Sequence, residues 1–239
     1  MFANIKKQII TLGTLGESGV GKTNLSNVFI GQPFQEDIMS TIGVNSLVRK
    51  NYEIKPKSEI EKVTIKIWDT AGQERFKSIS SQYIKNCDGI LLVYGINDKK
   101  SFEKIENWIK EVDDKKNNEN EVPLILIGNK IDIDDLKVNN NNINFKRQIS
   151  FEEGEKLAQR YGIKFFECSA KKKINVMESF QYLIDQVVQI HIKEFETGNN
   201  TIDESDSSII NNNNRCCNKK NKKNENKKRG ITIRKKNNI

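Results

Sequence analysis

The chain has 239 residues, 36% hydrophobic and 8% aromatic, enough for one core within one or two domains. No apolar run approaches the roughly 20 residues that span a bilayer, Met1–Lys7 lacks the apolar stretch and cleavage site of a secretory signal, and the four cysteines form no paired framework. The net charge of +8 is unevenly placed: Arg215–Ile239 holds 11 Lys or Arg against one acid, Glu225, giving +10, and Met1–Asn214 sums to −2. A membrane-spanning, secreted or disulfide-built protein is thereby excluded, and a reduced, cytoplasmic compartment is expected. The single His191 excludes a His-based zinc site and falls in a predicted terminal helix, where a packing or surface role is expected.

Short apolar runs alternate with helical patterns as far as Phe195, as in βαβ units around a largely parallel sheet. Strands are predicted at Gln8–Leu15, Asn45–Ile54, Val63–Trp68, Gly89–Tyr94, Leu124–Ile127 and Lys164–Cys168. Gly13 lies inside the first of these, where a glycine weakens pairing or marks a bulge. Gly89–Tyr94 and Leu124–Ile127 are apolar without alternation, the pattern of strands covered on both faces. A helix is expected to open at Ser101 as its cap, with Phe102, Ile105, Ile109 and Val112 on one face. Ser150 with Glu153 predicts a capping box for the next helix, and Val176–Phe195 reads as a long closing helix. Asn139–Asn142 reads as part of a polar surface loop. Asn199–Asn214 and Arg215–Ile239 cannot bury enough apolar area to offset ordering, so a folded domain at 1–197 and a disordered Asn/Lys-rich tail at 198–239 are expected.

Four segments carry chemistry. Gly16–Glu17–Ser18–Gly19–Val20–Gly21–Lys22–Thr23 follows a strand and precedes a helix. Glycines there let backbone N–H groups turn inward on phosphate oxygens, the helix N-terminus adds its positive end, Lys22 supplies a cation, and the Thr23 hydroxyl can ligate Mg²⁺. Without that strand and helix context, the same residues read as a Gly-rich turn. Asp69 ends an apolar strand in Trp68–Asp69–Thr70–Ala71–Gly72–Gln73–Glu74. It can hold a metal's water shell, with the Gly72 amide on a terminal phosphate and Gln73 orienting water; taken alone, such an Asp also serves as a cap. In Asn129–Lys130–Ile131–Asp132, the Asp132 carboxylate can accept the N1–H and amino hydrogens of guanine, which adenine does not offer in that arrangement. After another strand, in Glu167–Cys168–Ser169–Ala170–Lys171, the Ala170 amide can meet guanine O6.

In this order and spacing the four segments resemble the Ras-like small GTPases from Lys6 to Phe195, and the Rab branch within them. Ser40–Thr41–Ile42–Gly43–Val44 is similar to the first Rab switch, Ile65–Lys66–Ile67–Trp68–Asp69 to the third strand, and Arg75–Phe76–Lys77–Ser78–Ile79 to the second switch. The resemblance implies a P-loop α/β fold: a six-stranded, mostly parallel sheet with one antiparallel strand, flanked by helices. It implies GTP and GDP as ligands with Mg²⁺ held by Thr23, Thr41 and Asp69, and Phe34 resting edgewise on the base. Asn129, Lys130, Asp132, Ser169, Ala170 and Lys171 then form the guanine site. Asn45–Ser46 replaces the usual Asp-Phe, Tyr83–Cys87 lacks the usual Tyr-Arg-Gly, and Gly95 stands where Asp is common. The switch surface reads partner proteins, so these departures bear on the choice of partners and leave the nucleotide chemistry intact.

The implied activity is slow GTP hydrolysis, with Gln73 positioning the attacking water. No arginine is obviously placed to act in cis, so an intrinsic rate on the order of 10⁻⁴ s⁻¹ is expected. The implied role is a monomeric switch in vesicle trafficking, on the cytosolic face of an intracellular membrane. Its implied partners are an exchange factor, an activating protein and effectors, read through Glu36–Leu47 and Ala71–Ile84. Cys216–Cys217 look like the geranylgeranylated pair that ends Rab proteins, yet 22 residues follow them. Three readings stay open: an extension absent from the mature product, palmitoylation beside a +10 segment drawn to anionic lipid, or an unmodified tail. A reading of a different class makes the nucleotide domain structural and gives the tail lipid or nucleic acid to bind. Retention of Lys22, Thr23, Asp69, Gln73 and Asp132 favours the GTPase, and nucleic acid is not the expected partner.

Overall fold

The computed structural model describes residues 9–38, 41, 43–54, 61–70, 83–116, 122–135 and 146–198. In chain order the elements are β1 (Ile9–Leu15), α1 (Lys22–Phe29), β2 (Val44–Ile54), β3 (Glu61–Thr70), β4 (Gly89–Gly95), α2 (Lys99–Glu103), α3 (Ile105–Lys116), β5 (Leu124–Asn129), a 3-10 turn (Ile131–Asp135), α4 (Phe151–Tyr161), β6 (Lys164–Cys168) and α5 (Val176–Gly198). The strands form one six-stranded sheet in the order β2-β3-β1-β4-β5-β6. Only β2 runs antiparallel to its neighbour; the other pairings are parallel. This is the six-stranded, mostly parallel sheet with one antiparallel strand that the resemblance implied.

β4 shows why its sequence does not alternate: all seven of its residues are buried. Leu91 and Val93 face a core completed by Leu25 and Phe29 of α1 and by Phe180, Leu183 and Val187 of α5. Ile90, Leu92 and Tyr94 face the opposite core, with Ile105, Trp108, Ile109 and Val112 of α3 and Leu157 of α4. Phe102 packs at the edge of that second core, so the expected apolar face of the α2–α3 region is present. Among the described residues, no helix is long and apolar enough to cross a membrane.

Two local expectations are corrected. Asp98, not Ser101, caps α2: its carboxylate accepts from the Ser101 amide at 3.2 Å. Ser101 lies within the helix, fully buried, donating to the Asp98 carbonyl at 2.7 Å and accepting from the Gly95 amide at 3.1 Å. Asp has the stronger claim to the cap because it sits one turn earlier with an extended backbone. Gly13, in turn, neither breaks nor bulges β1: its register runs unbroken to Trp68 on one side and Ile90 on the other. The missing side chain makes room instead for the Cys87 thiol, which a Cβ at Gly13 would meet at 2.8 Å.

The capping box at α4 forms as predicted, with Ser150 Oγ accepting from the Glu153 amide and Glu153 Oε2 accepting from the Ser150 amide. His191 takes the expected packing role on α5, its Nε2 lying 3.9 Å from Asp88 Oδ1. The Asn139–Asn142 stretch and the tail beyond Gly198 lie outside the described residues.

Candidate nucleotide-binding site

The carboxyl ends of β1, β3, β4 and β5 converge on a cavity of about 410 Å³. Its rim at the phosphate end is the turn from β1 into α1. Gly16 adopts φ +143° and a Cβ there would lie 2.0 Å from the Val93 carbonyl, so only glycine lets the turn pass so close to β4. Gly21, at φ +96°, occupies the N-cap of α1 without a side-chain cap, and the first amides of that helix face the turn. A helix N-terminus left uncapped beside a glycine turn is a ready site for an anion.

Lys22 is buried, and its Nζ donates to the carbonyls of Gly16 at 2.9 Å and Glu17 at 2.8 Å. Burial lowers its pKa to about 8, against the opposing pull of the Asp69 and Glu17 charges. A cation held out of water at a phosphate-sized turn gains most from an anionic ligand. Ser18 and Gly19 line the same rim. Val20 is buried and its carbonyl serves the base end, as described below.

Beside Lys22, three oxygen-bearing side chains meet. The Thr23 hydroxyl donates to Asp69 Oδ2 at 2.7 Å, and the Thr23 and Thr41 hydroxyls lie 3.0 Å apart. Asp69 is fully buried; burial pushes its carboxyl above the ordinary value, opposed by the Thr23 hydroxyl, the Lys22 charge and the Thr14 hydroxyl. Two hydroxyls and one carboxylate, all hard oxygens, fit a small divalent cation that keeps waters and phosphate oxygens as its other ligands. No group of three or more His, Cys, Asp or Glu able to cage a metal occurs among the described residues.

At the base end, Asp132 and Ser169 meet across two loops, with Ser169 Oγ donating to Asp132 Oδ1 at 2.7 Å and accepting from the Lys172 amide at 2.9 Å. Asn129 is 1% exposed and joins three segments. Its Nδ2 donates to the Val20 carbonyl at 2.8 Å, and its Oδ1 accepts from the Ala170 amide at 3.3 Å. Lys130 adopts φ +77° at the end of β5, and burial lowers its pKa against the raising effect of Asp98 and Asp132. Lys171 bridges the mouth of the cavity to Glu36 at 2.6 Å, and Phe34 lines the cavity while packing on the core.

Thus the structure gathers Gly16–Thr23, Phe34, Thr41, Asp69, Asn129, Lys130, Asp132, Ser169, Ala170 and Lys171 in one place. Gly72 and Gln73, most of Ala71–Ile84, and Cys216 and Cys217 lie outside the described residues. Sequence reading misses Thr14 and Thr70. Thr14 Oγ1 reaches Asp69 Oδ1 at 3.4 Å, and Thr70 Oγ1 donates to the Thr14 carbonyl at 2.6 Å. Their role depends on the parallel register that pairs Thr14 with Asp69, which no local motif encodes.

The sequence model of the Ras family matches residues 11–189. The Ras-related protein Rab-8B of Bos taurus is 43% identical over 166 residues, which is 70% of this chain and 72% of the relative. The Ras-related protein Rab-13 of Bos taurus is 41% identical over 174 residues, 73% and 77% of the two chains. The Ras-related protein Rab-15 of Homo sapiens is 41% identical over 182 residues, 76% and 78%.

Proposed function

We propose, for a chain that belongs to the Ras family and to its Rab branch, that the cavity is its guanine-nucleotide site and that its residues divide the work as follows. The protein is a small GTPase of vesicle trafficking that binds GTP and GDP with Mg²⁺ and hydrolyses GTP. The amides of Gly16–Thr23 and the Lys22 ammonium take the phosphates. Thr23, Thr41 and Asp69 would hold the Mg²⁺, Thr41 only with a γ-phosphate present. The ion, when bound, offsets negative charge on the outer phosphates. Gln73 orients the attacking water, and Gly72 offers its amide to the γ-phosphate. Phe34 rests on the base, Asp132 accepts the two guanine donors, and Asn129, Lys130, Ser169, Ala170 and Lys171 fix the loops around it.

One observation carries this reading: a buried lysine on a glycine turn and a Thr23–Asp69–Thr41 oxygen cluster share one cavity with an Asp132 carboxylate already oriented by Ser169. One cavity thereby offers groups suited to the phosphates, the metal and the base of a nucleoside triphosphate. Residues 1–197 form the GTPase domain in this account, and 198–239 form the tail.

As a Rab GTPase the protein works with exchange factors, activating proteins and effectors. Glu36–Leu47 and Ala71–Ile84 are the surfaces that read them, since these are the segments a γ-phosphate would order. The tail attaches the protein to the cytosolic face of an intracellular membrane. Lipid on Cys216 and Cys217 provides the anchor, assisted by basic residues worth about 1 kcal/mol each near anionic lipid. Intact-mass analysis of protein from its native cell checks this: isoprenoid or palmitoyl additions support it, and bare thiols refute it.

The base assignment is tested by Asp132→Asn, which replaces an acceptor with a donor and so exchanges guanine for xanthine. Competition of GDP and XDP for the purified protein is expected to reverse in preference. An unchanged preference for GDP refutes the assignment of Asp132.

A further inference from the structure

We infer that Arg147 is a positioning residue for guanine recognition, clamping the turn that carries Asp132 to the strand that delivers Ser169–Lys171. The inference rests on the nucleotide-site reading above and adds to it a residue outside the cavity. The sheet poses the problem that Arg147 solves. The β5–β6 ladder ends at the pair Asn129 and Cys168. Asp132 and Ser169–Lys171 lie beyond that last pair, so no backbone ladder fixes the distance between them, yet both must meet one planar base.

Arg147 supplies the missing link from behind. Its Nε donates to Asp134 Oδ1 at 3.1 Å and Oδ2 at 3.0 Å, and its Nη2 also reaches Oδ2. Its Nη1 donates to Glu167 Oε1 at 2.5 Å and its Nη2 to Glu167 Oε2 at 3.0 Å. Asp134 stands two residues after Asp132 in the 3-10 turn, and Glu167 stands two residues before Ser169 in β6. One guanidinium thus grips both base-contacting loops at equal offsets from the residues they present. On the other side, the Ser169–Asp132 hydrogen bond closes the loop pair.

The arginine is itself held. Nη1 also donates to the Ile149 carbonyl at 3.1 Å, and the amides of Gln148 and Ile149 both bond the Ile96 carbonyl just after β4, at 2.8 and 3.0 Å. Ile149 is fully buried, which fixes the segment to the core. Glu167 is only 14% exposed, so the pair at that end works in a partly desolvated setting. A planar fork can meet two carboxylates with several parallel N–H donors, a geometry that the single ammonium of a lysine does not reproduce.

The test uses the full chain loaded with fluorescent GDP or IDP in excess Mg²⁺, and reads dissociation rates. IDP lacks the exocyclic amino group that Asp132 would accept. Arg147→Ala is expected to speed GDP release about tenfold, the size of one charge-assisted hydrogen bond. It is expected to speed IDP release less, so that the IDP-to-GDP rate ratio falls. Arg147→Lys is expected to restore no more than part of that ratio. Asp134→Asn, at the more exposed end of the clamp, is expected to move both readouts the same way to a smaller extent, and it serves if Arg147→Ala does not fold. GDP release within twofold of wild type, or equal acceleration of both nucleotides, overturns the inference, since a merely structural role loosens the site without regard to the amino group. Asp132→Asn runs alongside: if it keeps the guanine preference, the base-site reading itself fails. If it loses that preference while the Arg147 ratio stays put, only the role of Arg147 fails.

Discussion

Truncating Asn129 to alanine removes two buried hydrogen bonds that tie the phosphate turn to the base loops. The Val20 carbonyl loses its 2.8 Å donor and the Ala170 amide loses its 3.3 Å acceptor, at a residue 1% exposed. An unsatisfied buried polar group costs about 1–3 kcal/mol. The longer of the two bonds belongs near the lower end, so the sum is about 2–4 kcal/mol. With a urea slope of about 2 kcal/mol/M, mid-range for a small protein, the midpoint should fall by about 1–2 M. The assay is urea unfolding of protein saturated with GDP and Mg²⁺, followed by circular dichroism and by the fluorescence of Trp68 and Trp108, whose transitions should coincide. Weaker nucleotide binding by the variant lowers apparent stability further, which makes the estimate a floor. Asn129→Asp is the informative companion: it keeps an acceptor for Ala170 but sets a carboxylate oxygen against the Val20 carbonyl, and should be no more stable than the alanine variant. A midpoint for Asn129→Ala within about 0.3 M of wild type, less than any single unsatisfied group should cost, would refute the reasoning.

Other consequences follow from the same geometry. Gly13→Ala pushes a Cβ to 2.8 Å from Cys87 Sγ, and overpacking of this kind costs about 1–3 kcal/mol. Cys87→Ala should recover most of that loss in the double variant, and strictly additive effects would show that the two do not meet. Burial pushes the Cys168 thiol up to about 12 from an ordinary value of 9. The unfolded thiol therefore gives up its proton first, and stability is complete below pH 9 and falls as pH rises from 9 towards 12. Wild type should lose about 1 kcal/mol more than Cys168→Ala between pH 8 and pH 10, and equal losses in urea titrations would contradict the burial argument. Lys22→Ala should weaken GDP binding about 100-fold, the loss of a desolvated charged contact; titration with fluorescent GDP checks it, and a change under about threefold removes Lys22 from the phosphate site.

What the sequence discloses and what it hides divide along the range of the interactions. Unbroken apolar runs at Gly89–Tyr94 and Leu124–Ile127 place the central strands because burial on both faces leaves no polar alternation to find. The Ser150–Glu153 box is legible because its two hydrogen bonds close within one turn. The phosphate turn is legible for the same reason, its glycines and Lys22 acting within seven residues. At α2, two capping residues three positions apart compete, and only the backbone shows that Asp98 takes the cap while Ser101 turns inward to Gly95. Gly13 reads as a weakness until Cys87, distant in sequence, is seen to fill the space. Thr14, the double duty of Asn129 and the grip of Arg147 all depend on strand register or on contacts between separate loops. No local pattern announces them.

The proposed role of Gln73 is to position the water that attacks GTP. It is tested most directly by single-turnover hydrolysis of GTP preloaded on the full chain and started with Mg²⁺, for wild type and Gln73→Leu side by side. Wild type should convert GTP to GDP slowly, on the order of 10⁻⁴ s⁻¹, and Gln73→Leu should convert little or none at unchanged GTP affinity. GTP that stays intact on the wild-type protein, or equal rates from the two, would contradict it.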